Sequence, residues 1–294
     1  MPMSLRRFMC GLSKHTARVL LVLLIGGFLG ATLVRLSPGF GVDTEELDSR
    51  LSNASIQALR QAHASHRTLA GFYIYYMSQL ARGNLGVSET FHEPVRQLLA
   101  ERFPDTLKTV GIGLAVGWTA GLTLALVAVM SRAGFAGLLA SLAASLLLCI
   151  PAAVMALLFV IAQAPGRLVV GLIVFPKIFH YSRNLLERSA ALPHVLTARA
   201  KGAGSLRVLL WHILPVAAPQ LLALAGVSVS LAFAAAIPVE VLCDLPGIGQ
   251  LAWRAAMGRD LVLLVDLTMI VTLVTLLANT AADLTAQPMG AGER

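Results

Sequence analysis

Four polar side chains interrupt an otherwise apolar stretch of the chain: Lys177, His180, Asn184 and Glu187. Their spacing, i, i+3, i+7 and i+10, puts them on one face of a helix. Ionisable groups in such a stretch are costly, and they face a bundle interior, water or a partner chain. The chemistry open to them is contact with a passing solute rather than bond making. Lys177 and His180 are the pathway candidates, while Asn184 and Glu187 sit where the helix leaves the apolar region. A second group, Glu240, Asp244, Arg259 and Asp260, flanks Pro246-Gly247-Ile248-Gly249, whose Pro and Gly residues read as a turn. His63 and His66 lie three apart and could share a metal, but a lone pair reads as solvated side chains, so no metal site is expected. Cys10, Cys149 and Cys243 form no CxxC and read as small buried hydrophobes. There is no GxxxxGK[ST] phosphate loop, no HExxH and no G-x-S-x-G, and none of the four lysines (Lys14, Lys108, Lys177, Lys201) follows a suitable glycine run. The chain is therefore read as a protein without catalytic residues or an ATP site of its own.

The elements that position these residues are membrane helices. The chain has 294 residues, 57% hydrophobic and 13% charged, against roughly 25% charged in a soluble domain. Its apolar residues form long continuous blocks, and a block of about 20 spans a bilayer as a helix. Six spans are predicted, at about 17–35, 106–130, 136–162, 166–187, 213–237 and 261–284. The first lacks a small-x-small cleavage site before Arg35 and reads as an uncleaved anchor rather than a signal peptide. The net charge of +8 forms no basic stripe of the kind nucleic acid requires. Its Lys and Arg cluster at the ends of the apolar blocks instead. With the N-terminus inside, the inner segments hold Arg6, Arg7, Lys14, Arg18, Arg132, Arg183, Arg188, Arg199, Lys201, Arg207 and Arg294. The short outer loops hold only Arg167, Arg254 and Arg259. Both termini are thus expected in the cytoplasm. The expected layout is 1–35 as inner segment and first span, 36–105 outside and partly helical (54–82), and 106–284 as a five-helix core with an inner loop at 188–212. Residues 285–294 form a cytoplasmic tail. Asn53-Ala54-Ser55 fits a glycosylation sequon only weakly. Gly113, Gly117 and Gly121, and separately Gly26 and Gly30, have the spacing that lets helix backbones approach closely.

The inner stretch 194–219, HVLTARAKGAGSLRVLLWHILPVAAP, is the most informative. It resembles the cytoplasmic loop of ABC-importer permeases, whose signature is EAA, three residues, Gly, nine residues, then I-x-L-P. Gly202 is followed nine residues later by His212-Ile213-Leu214-Pro215. Leu196-Thr197-Ala198 stands for EAA, and His212 replaces the Ile. Both departures suit the dipeptide, oligopeptide and nickel permeases, and Thr197-Ala198-Arg199-Ala200-Lys201-Gly202 matches their version. Further resemblances follow in order. They are Leu85-Gly86-Val87-Ser88, Pro94-Val95, Phe103-Pro104 with Thr106-Leu107, Ile150-Pro151, Arg183 and Glu187, and finally Glu240, Pro246-Gly247-x-Gly249 and Arg259-Asp260. The connection Gln163–Arg167 is shorter than the family's, and Leu261-Val262 stands where a Pro is usual.

The resemblance implies an all-α membrane subunit with the type I importer permease fold, of the first permease subunit type, in a bacterial inner membrane. It implies a second permease subunit, two cytoplasmic ATPases that hold ATP and Mg, and an extracytoplasmic substrate-binding protein. No cofactor is implied in this chain. Thr197, Ala198, Arg199, Ala200, Lys201, Gly202, Gly204 and His212 would couple to the ATPases. Glu240, Pro246, Gly247, Gly249, Arg259 and Asp260 would form the outer gate or touch the binding protein. Two rivals compete: an ion-coupled secondary transporter, which needs an internal repeat that the sequence does not display, and a membrane-embedded enzyme, which needs convergent polar groups from several spans. The solute stays open among dipeptides, oligopeptides, nickel chelates and sugars.

Overall fold

The computed structural model describes residues 82–130 and 134–290, together with Leu21, Leu24, Ile25, Gly26, Phe28, Thr32 and Gln79. The expected helical stretch 54–82 (Gln79 and Arg82 excepted), the His63/His66 pair, the sequon, Cys10, Gly30 and most of the first span lie outside the described residues. The described chain is helical, with one isolated antiparallel bridge, Val87 to Pro94. We number its helices α1 Val95–Met130, α2 Gly134–Cys149, α3 Ala152–Ile161, α4 Arg167–Ala190, α5 Pro193–Ala200, α6 Ser205–Val208, α7 Leu214–Leu242, α8 Ile248–Met257 and α9 Leu261–Gly290. A π-helical turn, Leu209–Ile213, joins α6 to α7. The chain divides into two compact units, Met1–Glu101 with Leu251–Leu273 and Arg102–Gln250 with Val274–Arg294.

Three helical stretches are long and apolar enough to cross a membrane: α1, the continuous run Ser205–Leu242, and α9. A fourth crossing is available if α2 and α3 act together, but they meet at 96°. The span expected over 136–162 is thus two helices with a sharp bend between them. The cause is Pro151, which has no N–H to give a helix and biases Ile150 away from helical geometry. Helix α4 is about 36 Å long, yet Arg167, Lys177, Arg183, Glu187 and Arg188 make it too polar to count by composition. Helix α9 runs through Gly290, past the expected end of the last span at 284.

Leu146, Ile161 and Leu277 are more than half exposed. Lipid is as apolar as leucine, so such positions cost a membrane protein nothing. Helix contacts instead depend on close approach. A Cβ on Gly113 would lie 2.5 Å from Val170 Cγ1, and one on Gly121 would lie 2.9 Å from Ile178 Cγ2. Gly171 of α4 reciprocates, since a Cβ there would sit 3.0 Å from the Gly113 carbonyl. The GxxxGxxxG of α1 is therefore the seam on which α4 packs. Trp118 Nε1 donates to Ser228 Oγ at 2.9 Å, linking α1 to α7.

The cysteine expectation holds in part. Cys243 is half-buried, with its thiol 3.8 Å from the Ala156 carbonyl, and burial raises its pKa. Cys149 is exposed at the end of α2, which corrects its reading as a buried residue.

Candidate functional site: the inner loop and its supports

Helix α5 begins abruptly. Leu192 is extended and Pro193 starts the helix, where a missing N–H costs nothing. Val195 and Ala198 face inward and are buried in a core that includes Phe179, Leu186 and Leu209. Leu196, Thr197, Arg199, Ala200 and Lys201 are exposed on the other side. Thr197 Oγ1 bonds back to the Pro193 carbonyl at 3.0 Å.

The helix ends in a Schellman cap. Ala203 N–H donates to Ala198 O at 3.2 Å, and Gly202 N–H donates to Arg199 O at 2.9 Å. This six-to-one and five-to-two pair requires a left-handed residue at the position after the cap. Gly202 supplies it with φ +79. A Cβ on Gly202 would meet nothing within 4 Å, so its constraint is conformational rather than steric. Gly204 then runs extended into α6. Past the cap the exposed surface carries Leu206, Arg207, Leu210 and Trp211, the last 74% exposed.

The π turn precedes Pro215, the second residue of α7. A proline ring clashes with the carbonyl four residues back and offers it no hydrogen bond, so the wider turn accommodates Pro215. His212 lies in that turn. Its carbonyl accepts from His194 Nε2 at 3.2 Å, while its ring is half-buried with Nδ1 lacking a partner. His212 therefore supports the loop from behind. A cleft of about 570 Å³ lies between the end of α1, the end of α4 and this loop, with Glu187 and Arg199 among its lining residues.

The polar line on α4 separates into two roles. Arg183 reaches α2, where Nη1 donates to the Gly137 carbonyl at 3.0 Å and to Ser141 Oγ, and Nε pairs with Glu187 at 2.7 Å. His180 Nε2 lies 3.4 Å from Ser145 Oγ, one turn along α2. These groups fasten α2 to α4. Lys177 is not part of that seam. It is exposed beside a smaller cavity between α4 and α7. Asn184 is exposed near the end of the helix.

The residues expected at the outer turn divide between buried and exposed. Glu240 is 1% exposed. Its Oε2 accepts from Gly249 N–H at 2.7 Å, and a Cβ on Gly247 would overlap its carboxylate. Thr106 Oγ1 accepts from Ile248 N–H at 2.8 Å and faces the same carboxylate. The Pro-Gly-Ile-Gly turn is thus wrapped around a buried acid, with Gly at both positions because no side chain fits. Asp260, fully buried, caps α9 by accepting from Leu263 N–H at 3.0 Å. Its second oxygen accepts from the Ser88 hydroxyl and from Thr90 N–H at 3.1 Å. Ser88 in turn accepts from Phe91 N–H at 3.1 Å. Glu240 and Asp260 therefore hold these turns from inside, while Pro246, Asp244 and Arg259 are exposed.

A model of the binding-protein-dependent transport system inner membrane component family matches residues 116–287. This chain belongs to that family. The permease is also similar over nearly its whole length to curated relatives. It is 27% identical over 310 residues to a putative peptide permease protein of Brucella suis, covering 95% of each chain. It is 22% identical over 306 residues to a probable peptide ABC transporter permease protein of Sinorhizobium fredii, covering 93% of this chain and 95% of the other. It is 24% identical over 283 residues to the nickel import system permease protein NikB of Staphylococcus aureus, covering 91% and 86%. The permease is accordingly a membrane transport subunit, and these matches lend nothing to the ion-coupled reading.

Sequence reasoning named Thr106 and Ser88 as matches to the family pattern but not as partners of Ile248 and Asp260, and it missed Asp266, which is 1% exposed within α9. Asp266 could have been found as an acid set among the apolar residues at the start of the last span. The Thr106 and Ser88 contacts join residues more than 140 positions apart, and no local pattern announces them.

Proposed function

We propose that this permease forms half of the solute channel of an ATP-driven importer for peptides or nickel chelates, working with a second permease subunit, two ATPases and a binding protein. The single observation that carries the coupling role is the Gly202 cap. It ends α5 so that Leu196, Arg199, Ala200 and Lys201 present one exposed face, followed by Leu206, Arg207 and Trp211. That face is cationic and partly apolar, a combination suited to an acidic-rimmed groove on a partner. Ala198 and Val195 tie the same helix to the core of the membrane helices, so a push on the exposed face reaches them directly. In this reading ATP binding draws the two inner loops together, the channel opens outward, and hydrolysis resets it. The chain changes no covalent bond.

The proposed topology keeps six spans and both termini in the cytoplasm. The bent α2–α3 pair counts as the third span and α4 as the fourth, with its His180 and Arg183 turned toward α2. The outer segment 36–105 and the turns around Glu240 and Asp260 face the binding protein through their exposed residues. Peptides or nickel chelates as solutes rest on the names of the relatives.

A photoreactive amino acid placed at Arg199 or Lys201 in the assembled complex tests the coupling role. Both sites should cross-link to an ATPase, whereas the same label at Leu146 should not. Equal capture from Leu146, or none from the loop, would remove the loop from the coupling role.

A further inference from the structure

We propose that Lys177 and the cavity beside it form an anion-attracting station in the solute pathway, which receives a carboxylate or similar negative group of the passing solute. The proposal rests on the permease reading and specifies the chemistry of its channel. Lys177 lies about 15 Å from the start of α4 and about 20 Å from its end, which is mid-depth for a spanning helix. An ammonium at that depth is retained only where it faces water, a partner chain or an interior polar site. Among the described residues no carboxylate lies within ion-pair distance of it, and its side chain is exposed rather than folded into the α2–α4 seam. It borders a cavity of about 200 Å³ whose other walls are Ile173 and Val174 of α4, Leu231 and Ala234 of α7, and Ala152. All of these are apolar, so Lys177 is the only charge that the described residues place on the cavity wall. Such walls lower the local dielectric constant and strengthen the field of one cation.

The break between α2 and α3 adds a second feature. Non-helical backbone at membrane depth persists where it is buried in protein or lines a water-filled space. Ala152, the first residue after the break, lines this cavity, and α3 starts with no side-chain cap on its free amides. The bend thus places the start of α3, whose uncapped amides carry partial positive charge, beside the same cavity. The geometry favours solutes with a negative group and disfavours purely cationic ones.

The test uses the assembled complex with Cys10, Cys149 and Cys243 replaced and Ala234→Cys as reporter. Ala234 is exposed on the cavity wall. Modification rates of the reporter thiol by an anionic and a cationic methanethiosulfonate are compared with Lys177 present and in Lys177→Gln. A unit charge on the same cavity wall acts on the two reagents in opposite directions, so the anion-to-cation ratio should fall several-fold in Lys177→Gln. Lys177→Arg should keep the ratio. An unchanged ratio overturns the proposal, as does a reporter thiol that no reagent reaches in any nucleotide state while the complex still hydrolyses ATP. Retention of the ATPases, scored on the same preparations, separates failure of this proposal from failure of the permease reading.

Discussion

Replacing Gly202 isolates the conformational demand of the loop that follows α5. The residue has φ +79 and open space around its missing Cβ, so a substitution costs backbone strain and little else within this chain. A non-glycine L-residue pays about 1–2 kcal/mol in the left-handed region. That cost shifts the populated cap about 5- to 30-fold. Asn tolerates this region best, Ala less well, and a β-branched Val worst. The expected order of cap retention is therefore Gly, Asn, Ala, Val. Amide hydrogen exchange of the stretch 193–208 reads it, because the Ala203 N–H is protected only by its bond to Ala198 O. Coupled ATPase activity should fall in the same order. Equal protection in Gly202→Ala would refute the cap argument. A loss that follows side-chain size, with Asn worse than Ala, would show instead that the partner's groove sets the constraint.

Gly247→Ala should lower thermal stability by about 1–3 kcal/mol through overpacking against Glu240, and adding Glu240→Ala should recover part of the melting temperature. Asp260→Ala removes the cap of α9 and the anchor for Ser88 and Thr90. It should cost about 1–3 kcal/mol, more than Asp260→Asn, which keeps one acceptor, as a detergent melting curve would register. Along the α1 seam, Gly113→Ala should reduce stability more than Gly117→Ala, since the built Cβ is 2.5 Å from Val170 in the first case and no closer than 3.3 Å to any atom in the second. Arg183→Ala should loosen α2 from α4 and raise exchange around Gly137 and Ser141, whereas Lys177→Gln should leave that exchange unchanged.

Much of this architecture is legible where one residue type at a fixed spacing answers one physical demand. Gly113, Gly117 and Gly121 announce a close helix contact because only absent side chains permit it. Gly202 announces a turn at the end of α5, and the spacing to Pro215 marks where the next helix begins. Pro151 carries the signal for the bend, but apolar composition on both sides conceals it from a reading based on hydropathy. The turns around Glu240 and Asp260 are harder. Charge near a Pro-Gly turn suggests solvent exposure, yet Glu240 and Asp260 are buried because backbone amides and hydroxyls from distant segments replace water around them. The line on α4 shows the same limit. Spacing places Lys177, His180 and Glu187 on one face, but only the position of α2 decides that His180 lies beside Ser145 while Lys177 stays exposed. Cys149 is exposed at the end of α2, where the apolar composition around it suggests burial.

Whether this chain is a channel subunit driven by separate ATPases is decided by tagged co-purification in mild detergent, with the chain expressed from its native operon. A second permease and two ATPase subunits should come down with it, and Gly202→Asp should release the ATPases while the permease pair stays together. A chain that purifies without ATPases and moves solute without ATP would contradict the importer reading.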